Sequence, residues 1–298
     1  MFAAEFEYYK ARSVATAIRL LRAHQGSKLL AGGHSLIPLL KLRLARPAAL
    51  IDIGGIEGLK GISVTGGGTD VRVRIGALNT HRAIAMSPEL RSACPLLAEV
   101  AERIGDAQVR NRGTIGGNVA HADPASDWPT VLTALKASFI VQGHAGLLGR
   151  GVRTVPAAQF FTGVLTTSLG EHEVLTAVEV PALTPNDRGE YAKMRHPASA
   201  YSVIGAAAVI TVRGGVCAAA SIVVGGLVPK PVRATSVEHA LVGQRLDLDS
   251  IAAAAAHVTD DLGDEILGDI YASAEYRKAV APVEVKHALA HAAGLAHH

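Results

Sequence analysis

Hydrophobic and polar residues alternate with different periods along the chain, and these periods predict its helices and strands. Ser13 precedes apolar residues at helical spacing, which predicts a capped helix that ends near Gly26. The segment "KLLAGG" (28–33) predicts a short strand that runs into a glycine turn, and Ser35 is expected to cap the helix that follows. Runs of β-branched residues predict strands at 49–53 and 71–78, with the glycine-rich segment "SVTGGGTD" between them as a hairpin turn.

The rest of the chain is predicted to carry helices first, then strands, then helices again. Pro95 is expected to begin a helix that Gly105 ends, and Asp127 is expected to cap the next helix, with Pro129 in its first turn. Segment 181–189 combines prolines with Asn, Asp and Gly, which indicates a domain boundary. Strands are predicted at 138–143, 173–181, 201–212 and 217–227, and further helices around 236–243, 249–261 and 273–293. Beyond this boundary the strands precede the helices rather than alternating with them, which predicts an α+β fold.

Composition narrows the class of protein. The chain has 298 residues, which predicts about two domains, and 49% of them are hydrophobic and 18% charged, as in ordinary globular proteins. The net charge of +3 and the lack of a basic block interleaved with aromatic residues predict no nucleic-acid partner. The longest apolar run is too short to span a bilayer and the N-terminus lacks a signal-peptide pattern, so we expect a cytoplasmic protein without an integral membrane segment. Cys94 and Cys217 are too few for an iron–sulfur or structural zinc site and are expected to be buried free thiols.

Two glycine-rich segments share one design, and we name them the first glycine loop (31–36, "AGGHSL") and the second glycine loop (113–118, "GTIGGN"). Each is predicted to run from a strand through Gly-Gly and a polar residue into a helix. Glycine permits positive φ and close approach of a ligand to the backbone, and a helix start favours an anion. One such loop is usually an ordinary turn, but two in one chain predict a diphosphate held from two sides. No G-x-G-x-x-G after a strand and no Walker-type phosphate loop is present.

The stretches "AGGHSLIPLLKLRLARP" and "QVRNRGTIGGNVAHADPASDWP" closely resemble the two FAD loops of the medium, flavin-carrying subunits of molybdenum hydroxylases, of the carbon monoxide dehydrogenase and xanthine dehydrogenase type. The resemblance extends over nearly the whole chain. It implies an α+β protein with an FAD-binding domain of the vanillyl-alcohol-oxidase type at 1–180, made of two subdomains at about 1–55 and 56–180. A small α+β C-terminal domain of the carbon monoxide dehydrogenase flavoprotein type is implied at 188–293.

The resemblance also implies which residues bind FAD. Asp127 would accept hydrogen bonds from hydroxyl groups of FAD, and Lys193 would lie near the flavin ring. The other implied contacts surround the diphosphate: Lys28, Leu30, Ala31, Gly32, Gly33, His34, Ser35 and Leu36 on one side, and Gly113, Thr114, Ile115, Gly116, Gly117 and Asn118 on the other. No residue is expected to be catalytic or to bind a metal.

In the family that the chain resembles, the medium subunit works with two partners. A large molybdopterin subunit oxidises the substrate, and a small subunit with [2Fe–2S] clusters passes the electrons to FAD and so to an external acceptor. The resemblance therefore implies both partners, expected as a dimer of heterotrimers. A self-sufficient FAD oxidoreductase on the same scaffold is the alternative, although the sequence shows no acid placed for it. The substrate stays open among CO, a purine, nicotine and other heterocycles, as does the acceptor.

Overall fold

The computed structural model describes residues 2–68, 70–144 and 151–295, and their strands form separate sheets along the chain. The mixture of helices and strands confirms the predicted α+β class. None of the helices in these ranges is both long and apolar enough to cross a membrane. Cys94 and Cys217 are buried and free, as predicted.

The first unit is a small parallel sheet with strand order β1-β3-β2. The Ser13 hydroxyl accepts a hydrogen bond of 3.1 Å from the Thr16 amide, which confirms the predicted cap of the first helix. This helix buries Ala17, Ile18 and Leu21 in the core below the sheet. The elements are β1 (Glu7–Lys10), α1 (Val14–Ala23), β2 (Lys28–Leu30), α2 (Leu36–Lys41) and β3 (Ala49–Asp52).

The second unit is an antiparallel sheet with strand order β4-β5-β10-β6-β7, packed against helices and accompanied by the small hairpin β8–β9. Trp128, Phe139 and Phe160 are the largest side chains of its buried core. A short 3₁₀ helix, Glu57–Leu59, precedes it. Its strands are β4 (Ile62–Thr65), β5 (Arg72–Gly76), β6 (Ser138–Gln142), β7 (Val152–Pro156), β8 (Phe161–Gly163), β9 (Thr166–Thr167) and β10 (Val174–Pro181). Its helices are α3 (His81–Ala85), α4 (Pro88–Ala93), α5 (Pro95–Glu102), α6 (Ala107–Arg112), α7 (Ile115–His121), α8 (Asp127–Ala134) and α9 (Ala157–Phe160).

The predicted hairpin between the strands near 49–53 and 71–78 is wrong in its first strand. β5 pairs with β4, and the glycine turn that joins them includes Gly66 and Gly68 at positive φ. β3 belongs to the first sheet, where it lies between β1 and β2 in parallel pairing. Ala49, Leu50 and Ile51 are all buried, as expected for a central parallel strand that is covered on both faces.

The short helices α3, α4 and α6 are among those that the sequence prediction missed. Their N-caps are Thr80, Ser87 and Asp106, and each cap side chain accepts a backbone hydrogen bond. Helices of five or six residues are too short to show a hydrophobic period, so only the caps could have revealed them. The predicted helix from Pro95 is confirmed, although it ends at Glu102, before Gly105.

The third unit is an antiparallel sheet with strand order β11-β12-β13-β14 and a layer of helices. The predicted strands near 201–212 and 217–227, and the helices after them, are confirmed. Helix α8 of the second unit packs against the central strands of this sheet, which joins the two units. The elements are β11 (Asp187–Arg195), β12 (Ser202–Arg213), β13 (Val216–Gly225), β14 (Val232–Arg233), α10 (Thr235–Leu241), α11 (Leu248–Ala256), α12 (Val258–Asp261) and α13 (Ala274–Ala292).

Candidate cofactor site

The two glycine loops lie against each other. A β-carbon built on Gly32 would overlap the carbonyl oxygen of Arg112 and lie 3.0 Å from the Cα of Gly113. A β-carbon on Gly117 would lie 3.8 Å from the β-carbon of Ala31. The backbones therefore meet at a distance that only glycine allows at position 32, and two segments 80 residues apart form one site.

Most glycines of the two loops are required by neighbouring protein atoms rather than by positive φ. Of the five, only Gly33 has positive φ, at +78°. A β-carbon on Gly113 would lie 2.9 Å from the His81 ring, and one on Gly116 would lie 2.7 Å from the carbonyl oxygen of Ala77. The expectation that the glycines use positive φ is therefore correct for one position, and close packing explains the others.

The first glycine loop presents free amides. The backbone N–H groups of Gly32, Gly33, His34 and Ser35 donate no hydrogen bond to any residue that the structure describes. Ser35 stands at the N-cap of α2 as predicted, but its side chain makes no capping hydrogen bond. Successive unpaired amides around a residue at positive φ form a concave anion site, which fits the oxygens of a diphosphate.

The second glycine loop differs from the first, because its amides form hydrogen bonds within the protein. The predicted strand before this loop is wrong, because the loop follows helix α6, and Gly116 and Gly117 lie within α7. Its amides are already paired: Ile115 donates to Asn79 at 3.0 Å, Gly116 to Ala77 at 2.9 Å, and Gly117 to the Thr114 hydroxyl at 3.2 Å. These bonds hold the loop to the end of β5, and the three amides are therefore not available to a ligand.

His81, which sequence reasoning missed, lies beneath the loops. Its backbone amide donates to the Gly113 carbonyl at 3.0 Å, and its buried ring accepts a hydrogen bond of 3.1 Å from Trp128 Nε1 at Nδ1. Because an indole N–H only donates, the remaining ring proton of a neutral His81 must lie on Nε2. Burial, with smaller contributions from His34 and Arg110, lowers the pKa of His81 from 6.5 to about 4.

The neutral state of His81 predicts an acid-sensitive fold. Between pH 6.5 and about 4 the unfolded chain takes up a proton at this residue that the folded chain does not, so the free energy of unfolding falls as the pH falls through this window. The pKa shift corresponds to at most about 3 kcal/mol. We expect His81→Asn, which keeps an acceptor for Trp128 and cannot become charged, to lose this part of the pH dependence. Urea unfolding at several pH values measures it, and parallel curves for both proteins would contradict it.

Asp127 is engaged in a buried ion pair. Its two carboxylate oxygens lie 3.0 and 2.9 Å from Lys193 Nζ, and the Tyr191 hydroxyl donates to Oδ1 at 2.8 Å. Only 6% of the Asp127 side chain and 2% of the Lys193 side chain are exposed. Burial raises the pKa of Asp127, and Lys193 and Tyr191 act against that rise. The predicted helix cap at Asp127 is wrong, because the N-cap of α8 is Ser126.

The ion pair joins the glycine loops to the third unit. Asn118 of the second loop accepts a hydrogen bond of 2.6 Å from the Ser126 hydroxyl, next to Asp127. Across the junction, Arg103 donates to the Tyr191 carbonyl at 2.7 Å. Tyr191 and Arg103 were not singled out from the sequence, because no local signal marks a partner about 65 to 90 residues away.

The structure therefore brings most of the predicted cofactor-binding residues together. Leu30 ends β2 just before the first loop, and Leu36 is the last residue of the loop and the first of α2. Lys28 is exposed at the other end of β2, and within the described residues it forms no side-chain hydrogen bond or ion pair with the other predicted residues. In the same ranges no group of three or more His, Cys, Asp or Glu side chains could hold a metal ion. The site offers amides, hydroxyls and one ion pair, which suit a polar anionic cofactor.

Comparison with known protein families covers both parts of the chain. Residues 4–183 match the family described as the FAD binding domain in molybdopterin dehydrogenase. Residues 189–292 match the carbon monoxide dehydrogenase flavoprotein C-terminal domain.

Individual relatives align over nearly their whole length. The chain is 37% identical to the carbon monoxide dehydrogenase medium chain of Hydrogenophaga pseudoflava over 292 residues, covering 97% of each. It is 36% identical to the glyceraldehyde dehydrogenase medium chain of Sulfolobus acidocaldarius over 283 residues, covering 95% of this chain and 96% of that one. A solved structure of the Hydrogenophaga pseudoflava carbon monoxide dehydrogenase that lacks the Mo-pyranopterin moiety superposes with a TM-score of 0.90 at 39% identity, covering 99% of both chains. The chain therefore belongs to the FAD-carrying medium subunits of the molybdenum hydroxylases.

Proposed function

We propose that this chain carries the electrons of a molybdenum hydroxylase from [2Fe–2S] clusters of a small partner subunit, through its FAD, to an external acceptor. A large molybdopterin subunit would oxidise the substrate. The matched relatives are named for CO and for glyceraldehyde, so the substrate depends on that large subunit. When bound, FAD supplies the redox chemistry, and the protein binds and orients it.

The residues of the two glycine loops would hold the FAD diphosphate. The free amides of Gly32, Gly33, His34 and Ser35 would donate to phosphate oxygens, with Ala31 and Leu36 at the edges. Thr114, Gly117 and Asn118 would form the opposite wall, and Ile115 and Gly116 would support it from the buried side. Lys28 would contribute positive charge at a distance.

Asp127 and Lys193 would act as a unit next to the loops. The Asp127 carboxylate already accepts hydrogen bonds from Lys193 and Tyr191. We propose that it accepts a further hydrogen bond from an FAD hydroxyl, through an oxygen lone pair that these bonds leave open. Lys193 would be held by Asp127 toward the flavin end of the site. The close backbone contact of Gly32 with Arg112 is the single observation that carries the FAD proposal, because it brings two loops that are 80 residues apart into one site.

Metal and cofactor analysis tests which chain binds FAD and which chains bind iron and molybdenum. We expect the isolated protein to bind FAD without a covalent bond and to contain neither iron nor molybdenum, since its two cysteines cannot ligate the clusters. Acid precipitation should release all of the yellow colour. Dithionite should reduce the bound flavin and an artificial acceptor should reoxidise it, whereas CO and heterocycles should not react until both partner chains are added.

The alternative, a self-sufficient FAD oxidoreductase, makes the opposite prediction. Turnover of a substrate by the isolated chain, or molybdenum bound to it in stoichiometric amount, would contradict the proposal. Reconstitution with both partners but without FAD serves as the control. It should restore reduction of the clusters by substrate and leave the external acceptor unreduced.

A further inference from the structure

A continuous chain of hydrogen bonds leads away from the buried ion pair. The Tyr191 side chain is buried, and its hydroxyl donates to Asp127 at 2.8 Å. A phenol carries one proton, so the Ser202 hydroxyl, whose oxygen lies 3.4 Å from the Tyr191 oxygen, is left to donate to it in turn. We name these four side chains the hydroxyl relay: Ser202, Tyr191, Asp127 and Lys193.

A glycine makes room for the two hydroxyl groups of the relay. Gly205 on β12 pairs with Lys193 on β11. A β-carbon built on Gly205 would overlap the Tyr191 hydroxyl and lie 2.8 Å from Ser202 Oγ. Gly205 does not have positive φ, so its backbone conformation does not call for glycine. Any side chain at this position would push the Tyr191 hydroxyl from its place between Ser202 and the ion pair.

The outer end of the relay reaches a cavity. Ser202 lies in the wall of a cavity of about 420 Å³ between the loop that joins β11 to β12, the segment before α8 and the segment before α13. Ser199 and Tyr201, which are exposed, also line it, as do the half-buried Asp123 and His196. A water molecule occupies about 30 Å³, so the cavity admits several. The relay therefore connects a water-accessible surface with the buried ion pair.

The other neighbours of the ion pair cannot bring a proton to it. On the α5 side, Lys193 Nζ donates to the Arg103 carbonyl at 3.3 Å, and a carbonyl has no proton to give. The Arg103 guanidinium donates to the Tyr191 carbonyl and stays charged. Of the groups in the described residues that hydrogen-bond to the two charged side chains, only the Tyr191 hydroxyl can both accept and donate.

The proposed function requires a proton as well as electrons. A [2Fe–2S] cluster passes single electrons and no proton, whereas a flavin that takes two electrons also takes a proton at N5 of its ring. The medium must supply that proton, and the ion pair proposed to meet the flavin is buried. Burial and the neighbouring Asp127 raise the pKa of Tyr191 well above its usual range. Its hydroxyl therefore does not ionise, and it releases a proton only as it accepts one from Ser202.

We propose that the hydroxyl relay delivers this proton from the cavity to the flavin end of the site. The proposal rests on the proposed function, which places FAD beside Asp127 and Lys193. Lys193 gives one ammonium proton to the flavin and takes a proton back from Asp127. Asp127 takes its proton from Tyr191, Tyr191 takes one from Ser202, and Ser202 takes one from water in the cavity. Each pair of electrons thus consumes one proton of water, leaves hydroxide in the medium and returns the four side chains to their starting state.

The isolated protein loaded with FAD tests the relay. Its flavin is reduced in a stopped-flow instrument by reduced methyl viologen, which gives single electrons and no proton, in weak buffer with a fluorescent pH indicator. We expect proton uptake to keep pace with flavin bleaching in the wild type. A positioned proton donor accelerates transfer by about 10²–10⁴-fold, so Tyr191→Phe and Ser202→Ala should each slow proton uptake at least tenfold.

Ser221→Ala is the matched control for Ser202→Ala. Ser221 is another buried serine of the same sheet, on β13, and lies outside the relay. The control should take up protons at the wild-type rate. Ser202→Thr, which keeps the hydroxyl, should recover most of the rate that Ser202→Ala loses. The FAD content and the thermal midpoint of every variant are measured as well, which identifies a variant that only loosens the structure.

Each other outcome overturns a different statement. Unchanged proton uptake in Tyr191→Phe and Ser202→Ala would overturn the relay and mean that water reaches the flavin directly. A lower thermal midpoint or FAD content, with an unchanged rate of proton uptake per bound flavin, would give both residues a purely structural role and would also overturn the relay. A wild-type protein that binds no FAD would overturn the proposed function, and the relay with it.

Discussion

Replacing Gly32 by alanine should abolish FAD binding at micromolar concentrations. The added β-carbon would overlap the Arg112 carbonyl oxygen, and because a backbone atom cannot rotate away, the two glycine loops must separate. Separation of the loops would break amide hydrogen bonds to the charged diphosphate, each worth about 1.5–3 kcal/mol, so the loss of two of them weakens binding by about 100-fold or more. Titration of the apoprotein with FAD, followed by quenching of flavin fluorescence, measures the dissociation constant.

Gly58→Ala is the matched control for Gly32→Ala. A β-carbon on Gly58 meets no atom within 4 Å, and the residue does not have positive φ. The control should bind FAD with wild-type affinity and show the same thermal midpoint. Wild-type affinity in Gly32→Ala would mean that the contact between the loops does not form the FAD site.

Signals that act between neighbours in the chain were enough to predict much of the fold. The Ser13 cap and the long apolar runs of β12 and β13 depend on local hydrogen bonding and on side-chain period, and each was predicted correctly. The glycine loops were also found from their sequences. Their geometry was not predicted. Gly116 must be glycine because the Ala77 backbone leaves no space for a β-carbon, and Ala77 belongs to a segment some 40 residues earlier.

The parts that sequence reasoning missed depend on tertiary packing. Asp127 stands next to a helix start, so a cap was the natural interpretation, and only the docking of β11 against the second unit reveals Lys193 as its partner. His81 likewise acquires its role from Trp128, which lies 47 residues further along the chain. No period or turn signal reports a contact at that separation.

Replacing Lys193 by methionine should destabilise the protein strongly at neutral pH. The substitution leaves the buried Asp127 carboxylate without its opposing charge, and breaking a buried ion pair in this way typically costs about 3–5 kcal/mol. An exposed pair would cost less than about 1 kcal/mol. Urea unfolding of the flavin-free protein at pH 7 separates the two values, and a loss below about 1 kcal/mol would contradict the burial of this pair.

The pH dependence of the Lys193→Met variant follows from Asp127. Burial already raises the pKa of this carboxyl, and without the ammonium the pKa of Asp127 in the folded variant must rise further. Above the ordinary value of 3.8 the unfolded chain releases the proton that the folded variant retains, so the stability of the variant falls as the pH rises through this window. The deficit relative to the wild type should therefore be largest at neutral pH and shrink as the medium becomes acidic.

The double variant Asp127→Asn/Lys193→Met separates the cost of a lone charge from the loss of the contacts. The asparagine carbonyl still accepts from the Tyr191 hydroxyl but carries no charge, so most of the stability lost in Lys193→Met should return and its pH dependence should disappear. FAD titration of this refolded variant then tests the site directly. Recovered stability with weakened FAD binding is expected if Asp127 and Lys193 contact the cofactor, whereas recovery of both would restrict the pair to joining the second unit to the third.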